Sequence, residues 1–162
     1  PKITDASRRR DMTDYTAITR ELTINAAPEV ISEWVVDFHK WVSWSPWEDV
    51  DPNLARTYSG PESGVGSVYE WSGNRKAGAG KMTITSVESG EIKVDLDFTK
   101  PFKSASKTTF KFVSGEGGTT VVWQVLTPKS LATRIFGIFM NFDKMVGGDL
   151  ERGLAKLKTV AE

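Results

Sequence analysis

The chain has 162 residues, within the size of one domain, and its 21 Lys and Arg balance 21 Asp and Glu, so no long-range field steers it toward nucleic acid or an anionic bilayer. The absence of cysteine excludes a disulfide framework, a thiolate nucleophile and a Cys-based zinc site, and suits a cytoplasmic protein. The longest strongly apolar stretch, Ile135 to Met140, falls far short of the ~20 residues that span a bilayer, so no integral membrane segment is expected.

Residues 1–13 are polar and without periodicity and are expected to form a tail, in which Arg8, Arg9 and Arg10 read as a solvated basic run. Because the sequence opens at Pro1 rather than Met, a preceding signal or anchor is left open. Residues 14–162 are expected to form a single domain. Ile18, Leu22 and Ile24 share a face in a run rich in Thr and Ile, which predicts a first strand whose pattern Arg20 breaks. Pro28 stands where a first helical residue tolerates proline, and Val30, Ile31, Trp34, Val35 and Phe38 follow at helical spacing. Trp41, Trp44 and Trp47 come next, with Pro46 and Pro52 forbidding a long helix, so a short helix and a loop are expected.

From Leu54 to Val125 the pattern becomes that of an antiparallel meander. Predicted strands are Leu54–Ser59, Ser67–Ser72, Lys81–Glu88, Glu91–Thr99, Ser104–Val113 and Thr119–Leu126, divided by turns at Gly60-Pro61 to Gly64, Gly73-Asn74, Ser89-Gly90 and Gly115 to Gly118. Alternation assigns the inward face to Tyr69, Trp71, Met82, Ile84, Ile92, Val94, Leu96, Phe98, Phe110, Phe112, Val121, Trp123 and Val125. After Pro128 the helical period returns through Leu131, Ile135, Ile138, Phe139, Phe142, Met145, Val146, Leu150, Leu154 and Leu157, with a bend expected near Asn141 or Gly147-Gly148. The fold class is therefore α+β: a curved seven-stranded antiparallel sheet, short helices after the first strand, and one long C-terminal helix that alone can cover the apolar face.

The chemical motifs are mostly exclusions, and they leave no catalytic residue assigned. The only histidine, His39, cannot build a triad or a metal site alone and reads as an exposed or capping residue. Gly78-Ala-Gly80-Lys81 departs from a phosphate loop at Arg75 and Met82 and reads as a β-turn. Asp49, Asp51 and Asn53 have the spacing of the first calcium ligands of an EF-hand, but Leu54 and Gly60 replace the required Gly and Glu. No metal and no cofactor are expected, and Glu48, Asp49 and Asp51 are read as solvating their loop. Glu70 is the nearest candidate for a buried acid, yet alternation turns it outward.

The positive signal is aromatic. Six Trp in a small domain supply large apolar rings with a polar handle, suited to a ligand cavity. The expected ligand-binding set is Trp44, Tyr69, Trp71, Phe98, Phe110, Trp123, Phe142 and Met145, the last for its adaptable thioether. Any one of these is equally a core residue.

The segments Leu22-Thr-Ile-Asn-Ala-Ala-Pro-Glu-Val30 and Trp41-Val-Ser-Trp-Ser-Pro-Trp47 resemble the opening of the polyketide cyclase/dehydrase-like proteins of the START and Bet v 1 (SRPBCC) superfamily. Tyr58-Ser-Gly-Pro61, Gly64-Val-Gly66, Tyr69-Glu-Trp71, Gly78-Ala-Gly80, Lys100-Pro-Phe102, Thr120-Val-Val-Trp123 and Gly153-Leu-Ala-Lys-Leu157 extend the resemblance over about residues 15–160. It implies a helix-grip fold with a hydrophobic tunnel between sheet and long helix, in proteins that bind lipids, hormones, quinones or polyketides and only sometimes catalyse. The leading expectation is a non-catalytic carrier of a small hydrophobic molecule such as a lipid, isoprenoid or polyketide. One alternative is a cyclase or dehydratase-type enzyme, which needs at least two convergent polar side chains in the cavity. The other is a protein-interaction or stress-associated module in which the Trp41–Trp47 loop forms an exposed apolar patch.

Overall fold

The computed structural model describes residues 15–129 and 142–162. Seven strands form one antiparallel sheet: β1 (Tyr15–Ile24), β2 (Ala55–Ser59), β3 (Val68–Ser72), β4 (Ala79–Glu88), β5 (Glu91–Lys100), β6 (Ser104–Gly115) and β7 (Gly118–Pro128). The spatial order is β1-β7-β6-β5-β4-β3-β2, so the meander runs outward from β7 and the first strand closes onto the last. Helix α1 (Pro28–Val36) and a 3₁₀ segment (Phe38–Ser43) follow β1, and α2 (Phe142–Ala161) ends the chain. This is the helix-grip architecture. The predicted residues 131–141 of the last helix lie outside the described residues.

Alternation works here because one face of the sheet is buried, and a one-residue slip would turn every apolar side chain to water. The register bears this out in rows: Ile18 opposite Val125, Val125 opposite Thr108, Thr108 opposite Val94, Val94 opposite Ile84. Ile18, Val94 and Ile84 are 0–1% exposed. Two irregularities in the β4/β5 register, at Ala79/Gly80 and Ile84/Ser86, mark the places where an extra residue bends a strand and curves the sheet. β4 to β7 extend a residue or two beyond their predicted ends, β2 and β3 each begin one residue later than predicted, and the β6/β7 hairpin is tighter than expected, turning through Glu116-Gly117.

α1 begins at the expected proline and ends without a basic residue in its last turn. Its terminal carbonyls are satisfied instead by two indoles: Trp41 Nε1 donates to Val35 O and Trp44 Nε1 to Trp34 O, each at 2.8 Å. A helix end leaves its last carbonyls without intrahelical partners, and here the tryptophan-dense segment supplies the donors. α2 buries Leu150, Leu154, Leu157 and Ala161, a stripe at helical spacing. It runs unbroken through Gly147-Gly148, one of the predicted bend sites. The odd residue of β1, Arg20, reaches across to α2, where Nε donates to Glu151 Oε1 at 3.0 Å. Further along the helix, Gly153 lets Trp123 and Pro46 approach its backbone: a Cβ there would stand 2.7 Å from Trp123 Cζ3 and 2.9 Å from Pro46 Cδ.

Candidate functional site

The aromatic side chains form a continuous series of ring contacts along the inward face. At the α2 end Trp123 stacks on Phe110 at 4.9 Å between centroids and meets Trp44 edge-on at 5.6 Å and Trp47 at 5.7 Å. Trp41 joins Trp44 at 4.6 Å and leads through Phe38 to Tyr69, Trp71 and Phe98. Trp41, Trp44, Phe110 and Trp123 are all at most 2% exposed. The Trp41–Trp47 segment is therefore core rather than the exposed patch that an interaction module would present. The indoles are committed as well: Trp123 Nε1 donates to Thr108 Oγ1 at 2.7 Å and Trp47 Nε1 to Asp149 Oδ2 at 3.2 Å. Of the expected ligand-binding set, Trp44, Phe110 and Trp123 belong to this packed cluster. Met145 lies on the first turns of α2 and is 37% exposed, and the Phe142 side chain lies outside the described residues.

The other half of the inward face is less tightly covered. Trp71, Leu96 and Phe98 point inward yet remain partly exposed. Their arrangement follows from Gly80, which sits opposite both Trp71 and Phe98 in the register. A Cβ at Gly80 would lie 2.7 Å from the Trp71 ring, so the indole lies over the glycine, held there by its Nε1 bond to Ala77 O at 2.9 Å. Phe98 meets that indole edge-on at 5.6 Å. Met82 and Tyr69 continue the surface on one side. On β6, Ser106 stands opposite Leu96 and Ser104 opposite Phe98. The result is an apolar floor about four strands wide with two hydroxyls along one margin.

A polar cluster that the sequence reading missed closes the Tyr69 side. Glu48 and Asp51 are buried, at 9% and 8% exposure, and do not solvate their loop as expected. Glu48 Oε2 accepts from Arg56 Nε at 2.8 Å and pairs with Arg56 Nη2 at 2.6 Å, while Tyr69 Oη donates to Glu48 Oε1 at 3.2 Å. Asp51 accepts from the Asn53 and Asn74 backbone N–H groups at 2.8 and 2.7 Å, which ties the loop to the β3/β4 turn. Burial, reinforced by the Glu48 charge, pushes the Tyr69 phenol well above the usual tyrosine range, so it stays protonated and donates. The bond to Glu48 raises Arg56 as well. These three groups are hydrogen-bonded to one another, which makes the cluster a clasp between the loop and β2/β3. The only sequence signal for it was Arg56 at an inward-facing position of β2, opposite Trp71.

The remaining motifs are structural. His39 is exposed, its Nδ1 2.8 Å from Asp37 Oδ1 and its ring stacked on Tyr58 at 4.0 Å, beside a shallow cleft of about 280 Å³ that includes Pro61 and Val68. Of Gly78-Ala-Gly80-Lys81, expected as a β-turn, only Gly78 belongs to the Gly73–Gly78 turn, where Asn74 Oδ1 takes the N–H groups of Lys76 and Ala77, and Ala79–Lys81 open β4. Glu70 faces outward. Among the described residues no three His, Asp or Glu side chains converge as a metal site, and no helix is long and apolar enough to cross a membrane.

A family model described as polyketide cyclase / dehydrase and lipid transport matches residues 15–162. No curated protein sequence matches the chain. Among solved structures, protein CV1439 from Chromobacterium violaceum aligns with a TM-score of 0.64 at 12% identity, over 90% of this chain and 96% of that one. The di-domain ARO/CYC StfQ of the steffimycin biosynthetic pathway aligns with a TM-score of 0.66 at 14% identity, over 96% of this chain and 53% of that one. Ara h 8.0201 aligns with a TM-score of 0.62 at 10% identity, over 91% of this chain and 97% of that one. At such identities the structural likeness speaks for the shared fold alone, whereas the family model covers the whole described domain. On that match the chain belongs to the polyketide cyclase / dehydrase and lipid transport family.

Proposed function

We propose that this protein binds a small hydrophobic molecule, of the lipid, isoprenoid or polyketide-like class, against the Trp71/Phe98 half of the inward face. The observation that carries the reading is the contrast between the two halves of one sheet face. Trp44, Phe110 and Trp123 are closed off by one another and by α2, whereas Trp71, Leu96 and Phe98 face inward and keep apolar surface uncovered. A ligand that covers about 100 Å² of such surface gains about 2.5 kcal/mol from that contact alone. In this reading Trp71 and Phe98 touch the ligand with Tyr69 beside them, Met145 borders it from the helix side, and Trp44, Phe110 and Trp123 back the site without touching it. Binding without chemistry is preferred to a cyclase or dehydratase activity because Glu48, Arg56 and Tyr69, the titratable groups beside the floor, are engaged with one another.

The test is native mass spectrometry of the purified protein, with organic extraction and identification of what co-purifies, and tryptophan emission read before and after extraction. The expected result is a bound apolar molecule whose removal shifts the emission, with a smaller shift in a Trp71→Phe variant. Finding no bound molecule, together with no emission change on titration with a fatty acid, a quinone and a naphthalene, would refute the reading.

A further inference from the structure

We propose that Ser104 and Ser106 are the polar anchor of this site, and that its ligand is a neutral amphiphile whose one hydroxyl or carbonyl group exchanges hydrogen bonds with them. The inference rests on the binding reading above and names the chemistry of what is bound. Ser106 is 2% exposed, and the Oγ atoms of both serines are buried without a hydrogen-bond partner. Among the described residues these are the two side-chain polar atoms in that state. Buried polar groups are paired as a rule, and an exception calls for an explanation such as an absent partner.

The contrast along one strand is direct. Thr108, two residues on and facing the same way, accepts from Trp123 Nε1 at 2.7 Å and donates to Gln124 O at 3.0 Å. Buried hydroxyls elsewhere are likewise engaged: Thr119 donates to Ala26 O and Ser67 to Pro61 O, both at 2.7 Å. The unpaired hydroxyls thus fall at the less covered half of the face and not at the packed half. Residues two apart on a strand lie about 7 Å from each other on one face, so the two serines line one margin of the floor. Their cross-strand neighbours, Leu96 and Phe98, are apolar and supply the surface for the ligand's body.

The charge of the head group follows from its surroundings. The inward positions of β3 to β6 carry no charged side chain, and Arg56 on the neighbouring strand is paired with Glu48. A carboxylate or phosphate would be desolvated on this floor without a counterion among the described residues of β3 to β6, whereas serine, both donor and acceptor, suits a neutral hydroxyl or carbonyl.

The experiment measures the dissociation constants of naphthalene and 2-naphthol, at neutral pH, on the full chain and on a Ser104→Ala/Ser106→Ala variant. The quantity read is the change between proteins in the preference for naphthol over naphthalene, which cancels the difference in hydration between the two probes. The expected result is a preference about tenfold lower in the variant. An equal preference in both proteins would overturn the proposal and leave the serines as packing residues. Failure of wild-type protein to bind either probe would overturn the binding reading itself, and the proposal with it. A measurement on wild-type protein alone guards against a variant that does not fold. The carbonyl stretch of bound 2-acetylnaphthalene is expected at the lower frequency of a hydrogen-bonded ketone, and a stretch at its alkane-solvent position would overturn the proposal.

Discussion

Replacing Gly153 with Ala sets two effects of opposite sign against each other on one helix. In a helix interior, Ala is favoured over Gly by about 0.8–1.0 kcal/mol, so propensity alone makes the variant more stable. Against this, the new methyl would stand 2.7 Å from Trp123 Cζ3, 2.9 Å from Pro46 Cδ and 3.2 Å from Pro46 Cγ. Both neighbours are rigid rings, and Trp123 is fixed further by Phe110 and by its bond to Thr108. Overpacking of this kind costs about 1–3 kcal/mol, so we expect a net loss of up to about 2 kcal/mol. Gly148 provides the control, since the nearest atom to a Cβ there is Arg152 Nη1 at 3.8 Å. Gly148→Ala should therefore show the propensity gain undiminished. The assay is urea unfolding followed by tryptophan emission and by circular dichroism. With a slope of about 1–3 kcal/mol per molar urea, Gly148→Ala should raise the midpoint by about 0.3–1 M and Gly153→Ala should lower it by up to about 2 M. If Gly153→Ala is as stable as Gly148→Ala, the close helix-to-sheet approach inferred from the Trp123 contact is wrong.

Two further expectations follow from the buried polar contacts. Trp44→Phe keeps an aromatic ring at the centre of the core but withdraws the donor from Trp34 O at the end of α1, so a loss of about 1–3 kcal/mol is expected. Trp34→Phe, which keeps that carbonyl and its donor, should cost less in the same denaturant assay. The raised pKa of Tyr69 means that the unfolded chain releases this proton first as pH rises. The associated stability is then complete below about pH 10 and declines above it, and Tyr58, raised by burial and by Glu48, acts with the same sign. Tyr69→Phe should therefore flatten the fall in stability above about pH 10, measured as urea midpoints across alkaline pH; an unchanged slope would remove Tyr69 as its source.

The sheet and its inward face were legible in the sequence because period-two alternation is a local signal, and burying one face forces the pattern onto each strand in turn. Turns at Ser89-Gly90 and Gly115 to Gly118 punctuate it, and the helix starts at Pro28 and in the Leu150–Leu157 stripe are local in the same sense. What alternation could not say is which inward side chains pack on each other and which remain uncovered. Trp44, Trp123 and Trp71 look alike in sequence. Only the crossing of α2, close to the sheet at Gly153, separates a packed aromatic cluster from a floor over Gly80. The polar misreading has the same origin: Glu48 and Asp51 belong to a loop by composition, and their burial depends on Arg56, Tyr69 and Asn74, which the meander brings back to them. Nor does any local pattern mark Ser104 and Ser106, because whether a hydroxyl finds a partner depends on its neighbour across the sheet. Thr108, opposite Val94 and Val125, is reached by Trp123 two residues along β7, and the two serines stand opposite Leu96 and Phe98. Periodicity and turn chemistry determined the elements and their faces, which depend on neighbours along the chain. The contacts that make a site depend on neighbours in space, and those the tertiary structure decided.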